Sequence, residues 1–115
     1  MRDLDKICDD FLREARNDYV GLWQVINAVE RDLKPTSVEE RQRLTLEVIK
    51  RLIARGLQAV DLEASGSGCR PWSDQNVESV VRRINAEWKT LGREPSIGDI
   101  VWFNNPEAGG RTDRK

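Results

Sequence analysis

The chain has 115 residues, 38% hydrophobic and 34% charged, the profile of one globular domain large enough for a single core. Lysine and arginine number 19 against 20 aspartates and glutamates, and this balance argues against a dedicated nucleic-acid binder, which shows a basic excess or a basic face. With no histidine, the commonest general base, the usual zinc ligand and the physiological pH switch are all absent.

The opening "MRDLDKICDDF" is charged throughout and lacks the apolar middle of a secretory signal. No run approaches the roughly 18 apolar residues of a membrane span. Both features predict a cytoplasmic protein with no membrane partner. Cys8 and Cys69 form no CxxC pair, and in a reducing compartment they read as small buried thiols rather than a disulfide or a metal site. No metal and no cofactor is expected.

In chain order, Leu4, Ile7, Cys8, Phe11, Leu12 and Ala15 recur at helical spacing. "ND" at 17–18 has the character of a break and a new N-cap, followed by a second stripe of Leu22, Val25, Ile26, Val29 and Leu33. The spacing is nearly continuous across the break, so one kinked helix and two separate helices both fit. Pro35 ends the segment in either case. Ser37 followed by Glu40 predicts a full capping box for a third helix running to Arg55. Gly56 then supplies the left-handed position, and Leu57 folds back onto Leu52 in a Schellman close. "LQAVDLE" reads as a strand with Val60 and Leu62 on one face, and "ASGSG" at 64–68 as a turn leading to a short "CRPW".

The fourth helix is predicted from Ser73 as N-cap, with Trp72 stapled onto Val77. Its stripe is Val77, Val80, Val81, Ile84, Trp88 and Leu91, and Gly92 stops it. Trp88 belongs to the core, whereas Trp23 and Trp72 border apolar faces with their N–H groups at the surface. A "GD" turn at 98–99 leads into a last strand over 99–104, where Ile100, Val101, Trp102 and Phe103 follow one another without a polar residue. Trp102 and Phe103 point to opposite sides of such a strand. Either the strand is internal with both faces covered, or one face is kept for a partner. The internal strand is favoured, because an exposed apolar run at an edge invites aggregation. The expected fold is mainly α with a small β-sheet, winged-helix-like, with about four helices and two or three short strands. Residues 1–104 form one domain and 105–115 a flexible tail.

Three helices, a strand, a glycine-rich loop and a return segment make residues 37–55 a candidate recognition helix and 57–72 a candidate wing. Arg41, Arg43, Lys50, Arg51 and Arg55 favour that reading. However, Glu39–Arg43 and Glu47–Arg51 stand at i,i+4 in the favourable order, and the fourth helix repeats the pattern with Glu78–Arg82 and Arg83–Glu87. Cations compensated in this way mark a solvated face rather than a phosphate-binding one. No phosphate loop, ligand spacing or activated nucleophile appears, so an enzyme is not expected.

The first helix carries Asp3, Asp5, Asp9, Asp10, Glu14 and Asp18 against Arg2, Lys6, Arg13 and Arg16. An acidic helix beside an aromatic patch suits a basic protein partner. The candidate partner-binding residues are therefore Asp5, Asp9 and Asp10 with the rim around Trp72, joined by Trp102 if the last strand keeps a face open.

Over residues 18–104, "GLQAVDLE…RPWS…INAEWKTLG…P…GDIVWF" resembles a set of small bacterial proteins of unknown function, some of which occur as immunity proteins beside polymorphic or contact-dependent toxins. The resemblance implies an architecture with a Trp-bearing helix and a closing strand, and a non-catalytic, toxin-neutralising role. The alternative is a winged-helix transcriptional regulator. The oligomeric state is open.

Overall fold

A computed structural model describes residues 2–62, 68–96 and 99–106, with residues 2 and 3 described by backbone alone. The elements run α1 (Arg2–Glu14), β1 (Val20–Gly21), α2 (Leu22–Leu33), α3 (Val38–Ala54), β2 (Gln58–Leu62), β3 (Cys69–Pro71), α4 (Val77–Leu91) and β4 (Trp102–Asn104). This is an α+β fold of four helices and one small antiparallel sheet, ordered β1-β4-β2-β3. The sheet has one strand more than the two or three expected. No helix among the described residues is long and apolar enough to cross a membrane. Of the expected features, the tail beyond residue 106, residues 64–67 of the "ASGSG" turn and Gly98 of the "GD" turn lie outside the described residues.

The extra strand is β1, two residues that the hydrophobic stripe concealed because Val20 and Leu22 are also spaced to suit a helix. β1 resolves the segment into two helices. The second begins later than "ND" implied: its N-cap is Gly21, whose N–H donates to Gln24 Oε1 at 2.7 Å. Asp18 instead accepts from its neighbour, the N–H of Tyr19, at 2.7 Å. α2 closes on Lys34, left-handed at φ 49°, immediately before Pro35.

α3 begins at Ser37, whose Oγ accepts from the N–H of Glu40 at 3.0 Å. The reciprocal half of the box is displaced by one residue. Glu40 takes the N–H and hydroxyl of Thr36 at 2.9 and 2.7 Å, so the threonine competes successfully for the carboxylate. At the other end the Schellman pair forms as the sequence predicts. Leu57 N–H donates to Leu52 O at 3.1 Å and Gly56 N–H to Ile53 O at 3.0 Å, with Gly56 at φ 111°.

α4 is capped by Asn76, not Ser73. Asn76 Oδ1 accepts from the N–H groups of Glu78 and Ser79 at 3.1 and 3.2 Å. Trp72 therefore stands too early to staple α4; it is 5% exposed and part of the main core. The intervening turn is used by Gln75, whose side-chain amide donates to Ala59 O and accepts from Ala59 N–H, both at 2.9 Å. With Trp72 N–H also on Ala59 O, Gln75 continues the ladder where Pro71 ends β3. Val80, Ile84 and Trp88 of the predicted stripe are buried.

β4 sits between β1 and β2, so it is internal in the sheet. It is shorter than the expected 99–104, because Ile100 turns to φ 66°, a rare conformation for a β-branched residue. Ile100 thereby packs against the core together with Val101 and Phe103. One cross-strand row, Val20–Phe103–Ala59, faces that core and is fully buried. The next row, Gly21–Trp102–Val60–Pro71, occupies the other face. There Val60 is fully buried, Trp102 is half-buried and Pro71 is exposed. Both edges of β4 are paired, but its two faces are not equally covered.

Candidate partner-binding surface

The five residues singled out from the sequence do not form one surface. Asp5 and Asp9 lie on the side of α1 that meets α3, where Arg51 donates to Asp5 at 2.8 Å and Arg55 to Asp9 at 3.3 Å. The first helix is thus opposed by arginines from a distant part of the chain as well as by its own cations. Asp10 looks the other way, held by Lys6 at 2.9 Å and Arg13 at 3.2 Å. Hydrogen bonds from Lys6 and Arg13 hold its carboxyl below the usual aspartate range. Trp72 is covered: its Nε1 donates to Asp61 Oδ1 at 3.1 Å, and the Arg83 guanidinium lies 3.6 Å from its ring centroid. Of the five, only Trp72 is buried; Asp5 and Asp9 stay exposed although each is paired with an arginine, and Asp10 and Trp102 adjoin a feature that sequence reasoning did not assemble.

That feature is a groove of about 340 Å³ between α1 and α2. Its floor is Ile7, Phe11 and Ala28, all buried. Its polar walls are Asp10, Glu14, Gln24, Asn27, Arg31 and Asp32, and Trp23 also lines it. Residues 7, 10, 11 and 14 share one face of α1, and 23, 24, 27, 28, 31 and 32 share one face of α2, by ordinary helical spacing. Nothing local in the sequence shows that those faces meet. The packing of α1 against α2 brings them together, and the pairing of β1 with β4 marks where α2 starts. Gln24 ties the groove to the sheet, accepting from Gly21 N–H and donating to Glu14 Oε2 at 3.3 Å.

Trp23 and Trp102 meet over Gly21. A Cβ built on Gly21 would fall 2.7 Å from Trp23 Nε1, 2.8 Å from its Cδ1 and 3.1 Å from Trp102 Cζ3. The Trp23 N–H is therefore not at the surface as expected; it is buried and meets no hydrogen-bond acceptor among the described residues. Both rings are half-buried. Together they form an aromatic rim running from the groove onto the open face of the sheet.

The candidate recognition helix has a different surrounding from the one its sequence implied. α1, α2 and α4 all pack against α3, and Gln42 Nε2 donates to Asn85 Oδ1 of α4 at 2.6 Å. Arg41 is held by Glu30 at 3.3 Å and by Glu94. Arg51 pairs with Glu47 as expected, at 3.3 Å, and Arg83 with Glu87 at 2.8 Å. Arg43 reaches Glu40 at 4.0 Å rather than Glu39, and Glu78 and Arg82 do not close into a pair. On α3, Arg41, Arg43 and Arg51 each have a carboxylate partner within the molecule, at 4.0 Å or less.

Cys8 is buried in the α1–α3 contact, its thiol 3.9 Å from Val48 O, and burial pushes it up to about 11. Cys69 is half-buried, and both thiols are free. Compared with known proteins, the chain matches no family model, no curated protein and no solved structure.

Proposed function

We propose that this chain is a non-catalytic, cytoplasmic protein-binding module, and specifically an immunity protein that neutralises a bacterial toxin domain. The observation that carries the reading is the pair of half-buried tryptophans, Trp23 and Trp102, standing together over Gly21 beside a groove. Aromatic anchors next to a concave surface are what interface hot spots are made of. The toxin-neutralising part rests on the sequence resemblance alone. Duplex DNA is the less favoured ligand, since α3 is flanked by three helices and Arg41, Arg51 and Arg55 are held by carboxylates.

The neighbouring coding sequence supplies the test. Its C-terminal domain, produced alone, should arrest growth; produced with this chain, it should be tolerated and co-elute with it as a stoichiometric complex. Unrelieved toxicity would count against the immunity reading. Binding to duplex DNA with an affinity that falls steeply as salt rises would favour the regulator instead.

A further inference from the structure

We infer that the α1–α2 groove receives a basic side chain, an arginine or lysine of the protein partner, lodged between Glu14 and the face of Trp23. The inference rests on the protein-binding reading and names the chemistry of the contact. A volume of about 340 Å³ with a floor of Ile7, Phe11 and Ala28 suits the aliphatic stem of such a residue. The charged end is chosen by what the walls leave unbalanced. Asp32 is engaged by Arg31 through two contacts of 2.8 and 3.1 Å, and Asp10 by Lys6 and Arg13. Among the described residues no cation pairs with the Glu14 carboxylate, whose side-chain partner is the neutral amide of Gln24.

Glu14 is exposed in the free chain, and an occupant seated against it displaces part of its water. An acidic or neutral group would leave that charge uncompensated, whereas a guanidinium or ammonium would pair with it and face the indole. The existing pairs do not obstruct this. Lys6 and Arg13 approach Asp10 with side chains 70% and 68% exposed, so they can yield to an incoming cation at little cost.

The test is a titration of isotopically labelled protein with N-acetyl-arginine methylamide, followed by nuclear magnetic resonance. The expected result is a saturable shift of the Trp23 indole N–H and of the Gln24 and Asn27 side-chain amides. Glu14→Gln should weaken that binding about tenfold, and Asp9→Asn, on the opposite side of α1, should not change it. N-acetyl-glutamate methylamide should give no saturable shift. Shifts spread evenly over the acidic residues, binding indifferent to Glu14→Gln, or no binding would each overturn the assignment. Growth rescue by the intact chain would survive any of those results, so the two proposals fail separately.

Discussion

Gly21 stands directly opposite Trp102 in the sheet, and the space above its Cα is filled by the indoles of Trp23 and Trp102. The glycine is there for room rather than for backbone freedom, because its φ of −92° is open to any residue. Gly21→Ala should therefore cost about 1–3 kcal/mol through overpacking and alter tryptophan fluorescence in the folded state. Urea denaturation monitored at the indoles reads both. An alanine variant as stable as the parent would mean the two rings are not seated over Gly21.

Phe103 and Trp102 are adjacent on β4 but face different environments. Phe103→Ala, at a fully buried site, should destabilise by about 3–5 kcal/mol. Trp102→Ala should cost less than half as much, since the ring is half-buried and space opened there is accessible to water. Its effect should appear instead in partner binding, at about 2 kcal/mol or more. Equal stability losses at the two positions would show that the outer face of the sheet is as well covered as the inner.

The cap of α4 gives a test confined to one turn. Asn76→Ala should lose about 1 kcal/mol, because Asn76 Oδ1 holds two N–H groups of the first turn. Ser73→Ala should stay within about 0.5 kcal/mol. The reverse ranking in chemical denaturation would restore Ser73 as the start of the helix.

Alkaline pH probes the α1–α3 contact through Cys8. Its thiol titrates at about 11 in the fold against 9.0 for a free group, so the folded state holds the proton more tightly than the unfolded chain. The corresponding stability is fully present below pH 9.0 and is lost as pH rises towards about 11. Cys8→Ala should lower stability at neutral pH yet decline less between those limits than the parent does. A thiol reagent at pH 8 should modify Cys69 and reach Cys8 only on unfolding. Rapid modification of both would place Cys8 outside the core.

Acid acts in the opposite direction. Hydrogen bonds from Ser96 N–H and from Arg93 hold Asp99 below its ordinary range, and bonds from Thr36 do the same for Glu40. Stability from these exposed turns is present above the unfolded carboxylate range and is lost as pH falls through it and below, into the depressed folded range. Asp99→Asn should flatten the acid limb of the pH–stability curve. An unchanged limb would show that Asp99 does not hold the turn ahead of β4.

By itself the sequence determined the helical stripes, the Schellman close at Gly56, the stop at Gly92 and the buried stripe of α4, but not whether the segment before Pro35 is one helix or two. Each feature so determined follows from interactions within a few residues, where periodicity and capping chemistry act directly. Local alternatives limited it at the caps, where Thr36 takes the Glu40 carboxylate expected on Ser37 and Asn76 caps α4 one turn later than Ser73. Only the tertiary structure decided the rest. β1 exists because β4 pairs with it, and two residues carry no periodicity of their own. The acidic first helix and the basic third helix each look like a binding surface when taken alone. Packed together, they become one interface in which Arg51 meets Asp5 and Arg55 meets Asp9, across 46 positions of sequence. The groove with Glu14 and Trp23 arises in the same way, because its walls belong to two helices that only packing brings together.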